Sequence, residues 1–253
     1  MNQAPTSPPH QTVSETASST RHTDNTRSQV IVFDVNETLL DITVLDPFFT
    51  RVFGRAGAMR QWFAELVLYS QSLTLSGQYM TYAEIGAGVL AMLASIHAVP
   101  LHPADREELV DTLRHLPAHD DVAPALELLA GAGFRLATLT NSAPSGGRTP
   151  LDHTGLGHWF EQQFSVDAVR RFKPAPQTYA YVAHELRAGP TQMRLVAAHP
   201  WDTLGAMAAG WRSALVTRTG NAVLPIGAQS DVVGPDLLSV ARRIIELETH
   251  APR

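Results

Sequence analysis

From residue 30 onward, short runs rich in β-branched and aliphatic residues, without strict apolar–polar alternation, alternate with stretches patterned for helices, and this constrains the fold more than any other feature. The runs lie at 30–33, 135–139, 164–166, 194–198 and 213–216, with a weaker one at 231–233. A strand wetted on one side alternates apolar and polar residues. A strand covered on both faces, as in a parallel sheet, has no need to. Helical patterns at 122–132, 176–187, 203–209 and 235–248 fall between the runs. Strands alternating with helices in this way predict an α/β fold with a doubly wound, Rossmann-like parallel sheet.

One region departs from the alternation. Residues 45–116 hold no convincing strand but several amphipathic stretches, among them "AMRQWFAELVLYSQSL" and "PADREELVDTLRHL". Their position directly after the first strand predicts a helical cap, 45–116, inserted into a core made of 29–44 and 117–253. The 253 residues suit one such domain with an insertion. Residues 1–28 are rich in Ser, Thr, Pro and Asn and carry too few large apolar side chains to offset their ordering entropy, which predicts a disordered tail. The tail has no apolar segment of the kind a secretory signal needs.

Charge and composition then exclude partners. The net charge is −5 and no long basic run occurs, which argues against nucleic acid. The chain has no cysteine, hence no thiolate nucleophile, no disulfide and no Cys-based metal site, and it suits a reducing cytoplasm. The longest apolar stretch, 85–99, is shorter than the ~20 residues that span a bilayer and contains a histidine. The expected partner is a small molecule, not nucleic acid or membrane.

Polar residues recur where the strands should end. Asp34 closes the first run; Thr140, Asn141 and Ser142 follow the second; Lys173 comes after the third; and "AAHPWD", 197–202, follows the fourth. Sites in open α/β sheets form outside the carboxyl ends of strands, near the point where strand order reverses. Taken singly, each residue has an ordinary explanation: an Asp after a strand commonly caps a turn or helix, and a lysine before proline is commonly exposed. Their recurrence in this order points to one site.

The motifs "FDVNETLLD", "LTNS", "FKPAPQTY" and "WD", in that order, resemble the four motifs of the haloacid dehalogenase superfamily over about 29–248. "DVNETLLD" with "KPAPQTY" resembles its type II 2-haloacid dehalogenase branch in particular. Phosphatases of the superfamily, the resemblance implies, build a magnesium site from the first-motif Asp and an early fourth-motif acid, with a general acid two residues after the nucleophile. Here that second position is Asn36, and the early fourth motif reads Ala197, Ala198, His199. Magnesium prefers several hard oxygen ligands, so Asp34 and Asp202 facing Lys173 make a poor site. No metal and no cofactor are expected. A displacement on a less charged substrate gains in consequence: an ammonium keeps a carboxylate ionised, the carboxylate attacks and becomes an ester, and a second carboxylate activates the water that cleaves it.

The resemblance implies the roles. Asp34 matches the nucleophile, Thr38 the threonine beside it, and Thr140 a hydroxyl for the substrate carboxylate. Asn141 and Arg60 match groups that receive halide, Lys173 and Tyr179 the pair beside the nucleophile, and Asp202 the late acid. Gln61, Tyr79 and Trp201 match pocket walls, although a plain core role suits Tyr79 and Trp201 equally. Asn36 stands where the branch often has an aromatic residue, making that wall smaller and more polar, which suits fluoride or chloride over bromide. Many type II members read "SSNAWD" at the fourth motif, so Ala197 and His199 replace two hydrogen-bonding groups; His199 is either catalytic or a satisfied buried histidine. The expected activity is hydrolysis of short 2-haloalkanoic acids to 2-hydroxy acids, in an assembly that could be a homodimer. The alternatives are a phosphatase or another small-carboxylate hydrolase on the same scaffold, or a small-acid-binding scaffold without turnover.

Overall fold

The computed structural model describes residue 1 and residues 29–143 and 149–249, so the tail predicted at 1–28 lies, but for residue 1, outside the described residues. Six strands, β1 (Val30–Phe33), β2 (Arg135–Thr140), β3 (Gln162–Ser165), β4 (Met193–Ala197), β5 (Arg212–Val216) and β6 (Val232–Gly234), form one sheet in the order β3-β2-β1-β4-β5-β6. All neighbours pair in parallel. The predicted α/β class with a doubly wound parallel sheet is therefore observed. Strand order reverses between β1 and its two neighbours, β2 and β4, so the carboxyl end of β1 is the switch point.

β1 is buried at every residue, and so is β4. Each Val, Leu or Ile taken fully from water contributes roughly 1.5–3 kcal/mol, which is why these two strands form the centre of the sheet. Arg194 is the one charged residue within β4, fully buried, and its guanidinium donates to Asp231 and to Glu248 Oε1 at 2.8 Å. β3 starts at Gln162, two residues before the predicted run, because an edge strand need be buried on one side only.

The first helices after β1 are α1 (Asp46–Phe53), α2 (Ala58–Leu75), α3 (Tyr82–Ile96) and α4 (Pro103–Arg114), all before β2. Thr81 opens α3 with a capping box, accepting from Glu84 N at 3.2 Å while Glu84 Oε2 accepts from Thr81 N at 2.7 Å. Trp62 of α2 donates to Gly86 O of α3 at 2.9 Å, and a Cβ at Gly86 would stand 3.2 Å from the indole, so glycine sets this close approach. The rest of the chain carries α5 (Val122–Gly131), the single turn α6 (Pro150–His153), α7 (Pro176–Glu185), α8 (Pro200–Ala208) and α9 (Leu237–Thr249).

α8 begins three residues before the predicted helix, with Pro200 in its first turn. Proline costs nothing there, since the first N–H groups of a helix have no intrahelical partner. The earlier start puts Asp202 on the helix rather than in a loop. No helix among the described residues is long and apolar enough to cross a membrane.

Candidate active site

β1 delivers Asp34 to the carboxyl edge of the sheet, and its backbone N–H still pairs with Val196 O at 3.0 Å. The carboxylate is thereby fixed before any side chain contacts it. Lys173, arriving from the segment between β3 and α7, donates from Nζ to Asp34 Oδ1 at 2.7 Å, to Asp202 Oδ2 at 2.7 Å and to Leu139 O at 3.0 Å. The three protons of the ammonium thus have three acceptors. Tyr179 donates to Asp202 Oδ1 at 2.6 Å. α8 comes this close because of Gly205, where a Cβ would stand 2.6 Å from the Tyr179 hydroxyl.

The other oxygen of the nucleophile candidate is held twice. Thr38 Oγ1 donates to Asp34 Oδ2 at 2.7 Å while itself accepting from Ala198 N at 2.8 Å. That backbone donor orients the Thr38 proton toward Asp34. His199 Nδ1 lies 3.1 Å from the same Oδ2, and its Nε2 lies 2.8 Å from Glu37 Oε2. A carboxylate can only accept, so both ring nitrogens must donate and His199 is an imidazolium. Its ring stacks on Trp201, with centroids 5.1 Å apart, and lies 5.6 Å from Phe63 of α2. Arg60, also on α2, donates to Glu37 Oε1 and, at 2.7 Å, to Thr219 O.

Charges therefore alternate along one chain of contacts: Arg60, Glu37, His199, Asp34, Lys173, Asp202. Burial alone would raise Asp34, but Lys173 and then His199 outweigh it and hold this carboxyl far below the usual range. Burial would likewise lower His199, yet its hydrogen bonds to Asp34 and Glu37 and their charges raise it to about 9. Lys173 is raised despite burial by Asp202 and Asp34. In Asp202 burial dominates, Lys173 counteracting and Asp34 adding to it, and the net shift is upward. Two carboxylates on one ammonium are thus driven apart, one kept anionic and one made more basic.

The remaining candidates fall around this centre at different distances from it. Asn141 Oδ1 accepts from Lys173 N at 3.1 Å and so orders the lysine's backbone. Trp201 lies under Lys173 as well as His199, 5.8 Å from Nζ. Asn36 donates to Ser142 Oγ at 3.4 Å, and Thr140 Oγ1 accepts from Ser142 N at 3.1 Å, which uses a lone pair of that hydroxyl and leaves its proton to donate. Two residues stand apart from the charged chain. Gln61 pairs with Arg55, and Tyr79 donates to Asp167 at 2.6 Å while stacking on Phe172.

Sequence reasoning missed Glu37, which takes a left-handed φ of 68°. That conformation is uncommon for a residue with a side chain, and no motif signals it. It missed Arg218 too, whose guanidinium donates to Thr38 O at 2.9 Å and to Asp121 Oδ2 at 2.7 Å, clamping the loop behind the nucleophile. Asp121 could have hinted at a partner, being a charge next to a helix start.

Beside the charged chain opens a largely apolar cleft of about 260 Å³, lined by Trp62, Phe63, Leu66, Tyr82 and Leu90 and by Asn36 and Ser142. Arg106 and Arg114 of α4 add positive charge to its wall. Phe63 belongs to both the cleft and the packing on His199. A divalent cation does not fit the donor set at Asp34. Both oxygens already face cations, Ala197 and Ala198 offer no side-chain oxygen, and the Asn36 amide is turned to Ser142.

A switch-point carboxylate under an ammonium, with helices α1 to α4 following its strand, points to a class, and the chain belongs to it. The family model described as haloacid dehalogenase-like hydrolase matches residues 29–210. Among relatives, haloacetate dehalogenase H-2 of Moraxella sp. (strain B) is 26% identical over 218 residues, covering 85% of this chain and 97% of that one. The (S)-2-haloacid dehalogenase of Xanthobacter autotrophicus is 28% identical over 225 residues, 88% of each chain. The solved structure of L-2-haloacid dehalogenase from Xanthobacter autotrophicus with chloropropionic acid covalently bound matches with a TM-score of 0.77 at 24% identity, over 86% of this chain and 98% of that one. A phosphatase of the superfamily from Thermococcus onnurineus shares the fold at a TM-score of 0.58. The fold alone therefore does not choose the chemistry.

Proposed function

We propose that this protein hydrolyses short 2-haloalkanoic acids to 2-hydroxy acids and halide, without a metal, through an ester on Asp34. The observation that carries the reading is the pairing of Asp34 and Asp202 across Lys173, each 2.7 Å from the ammonium. The names of the relatives agree with it.

Asp34 Oδ1 attacks the halogen-bearing carbon; the carbon–oxygen bond forms as the carbon–halogen bond breaks, and halide leaves with the electron pair. Fixed cations near a departing anion act most in the transition state, where its charge is greatest. Arg60 and the Asn141 amide are the groups assigned to that side of the pocket, while the substrate carboxylate faces Thr140 and the cationic wall. Asp202, made more basic by its burial, takes a proton from water as the water attacks the ester. Lys173 protonates the departing alkoxide and recovers a proton from Asp202, since it touches both. Asn36 makes the wall near Asp34 polar rather than aromatic, which favours the smaller halides.

The test is halide release from fluoro-, chloro- and bromo-substituted acetate and propionate, with EDTA present. Release at unchanged rate in the chelator supports the reading. Activity that appears only with magnesium and a phosphate ester would replace it with the phosphatase.

A further inference from the structure

The two oxygens of Asp34 are not equivalent. Among the described residues Oδ1 accepts from Lys173 alone, whereas Oδ2 accepts from Thr38 at 2.7 Å and from His199 at 3.1 Å. The less encumbered oxygen is the one with electron density to give, so the doubly held one becomes the carbonyl oxygen of the ester. We infer that Thr38 and His199 form an oxyanion hole for breakdown of the Asp34 ester, and that Glu37 is a positioning residue that holds His199 in this role. The inference rests on the proposed displacement and assigns its second half.

The chemistry balances as follows. Water adds to the ester carbonyl carbon, its proton passes to Asp202, and the carbonyl electron pair moves onto Oδ2. Negative charge appears where two N–H and O–H donors already point. When the intermediate collapses, the bond from that carbon to Oδ1 breaks, Oδ1 leaves as the product hydroxyl with a proton from Lys173, and Asp202 returns its proton to Lys173. The carboxyl left on Asp34 ionises to solvent.

Three features fit such a hole. The Thr38 proton has one direction open to it, because Ala198 N–H occupies the hydroxyl oxygen. His199 is clamped between Trp201 and Phe63, so its ring is held before any charge develops. Glu37 is buried, carries a left-handed backbone and is itself neutralised by Arg60, which a residue serving only as a surface anion would not need. The titratable and charged groups facing His199 are Asp34 and Glu37, with Lys173 beyond the first and Arg60 beyond the second.

His199→Ala and Glu37→Gln, each checked for folding by circular dichroism, would be mixed with racemic 2-chloropropionate and followed for halide and for intact mass. For His199→Ala the expected result is a burst of about one halide per chain, accumulation of protein bearing the acyl fragment, and steady turnover lowered roughly 10²–10³-fold, the cost of one oxyanion donor. Glu37→Gln should also accumulate adduct, and the pH at which adduct breakdown falls off should move below that of the unmutated protein. If His199→Ala fails to fold, Glu37→Gln decides alone. Loss of stability without adduct, or a halide burst slowed as much as steady turnover, would overturn the inference while leaving the proposed function standing. An unmutated protein that releases no halide would overturn both.

Discussion

Replacing Lys173 by methionine removes the cation that separates two carboxylates while nearly conserving volume. Lys173 and Asp202 are fully buried and Asp34 is 5% exposed. Breaking a buried ion pair by removing one partner costs about 3–5 kcal/mol, because the abandoned charge stays desolvated. For a chain of this size that is a fall in Tm of roughly 6–20 °C, at roughly 2–4 °C per kcal/mol. The cost should depend on pH with a reversed sign. In the parent, the lowered Asp34 carboxyl contributes stability above its unfolded value, lost as pH falls toward the lower folded value. Without Lys173, burial and the Asp34 charge push the Asp202 carboxyl further above its unfolded value, and Asp34 keeps only His199 to hold it down. The Asp202 contribution is then fullest in acid and is lost as pH rises through its raised value. Thermal melts of both proteins at pH 5 and pH 8 test this: the gap in Tm should widen at pH 8. A gap equal at both pH values, or one below about 2 °C at pH 8, would refute the reasoning.

Other expectations follow from the same geometry. Asp34→Asn should keep the fold and lose turnover, because an amide is no nucleophile; more than a few per cent activity, without deamidation by mass spectrometry, would contradict the assignment. Arg60→Ala should lower kcat roughly 10²-fold and also lower Tm, since it leaves the buried Glu37 carboxylate to His199; normal turnover would remove Arg60 from the chemistry. If the apolar cleft receives the alkyl chain, KM should fall by roughly fourfold per added methylene at about 0.8 kcal/mol each, from 2-chloropropionate towards 2-chlorohexanoate. A KM that is flat or rises along that series would remove the cleft from the site.

Much of this was legible because β1 and β4 are buried throughout and read as apolar runs, broken in β4 by Arg194. The strand ends then located Asp34, Lys173 and Asp202 in order, and the parallel topology gathered them. Arg194 shows where that reasoning thins: its burial depends on Asp231 and Glu248, contributed by distant segments. Glu37 was invisible for a different reason. A local pattern records neither its left-handed backbone nor a histidine 162 residues away. Arg60 was assigned to the halide from its motif, yet its guanidinium reaches the nucleophile through Glu37 and His199. Thr140 and Gln61 were assigned to the pocket from their motifs, yet their side chains are bonded to Ser142 and Arg55. Motif spacing fixes a residue's place along the chain and leaves its contacts open.

The central claim is that Asp34, not water, makes the bond to carbon. Excess protein reacted once with 2-chloropropionate in ¹⁸O-labelled water separates the two directly. The account predicts unlabelled lactate from the first turnover and label on the peptide that contains Asp34. Lactate labelled in that first turnover, with the peptide unlabelled, would mean that water attacks the carbon and would contradict the account.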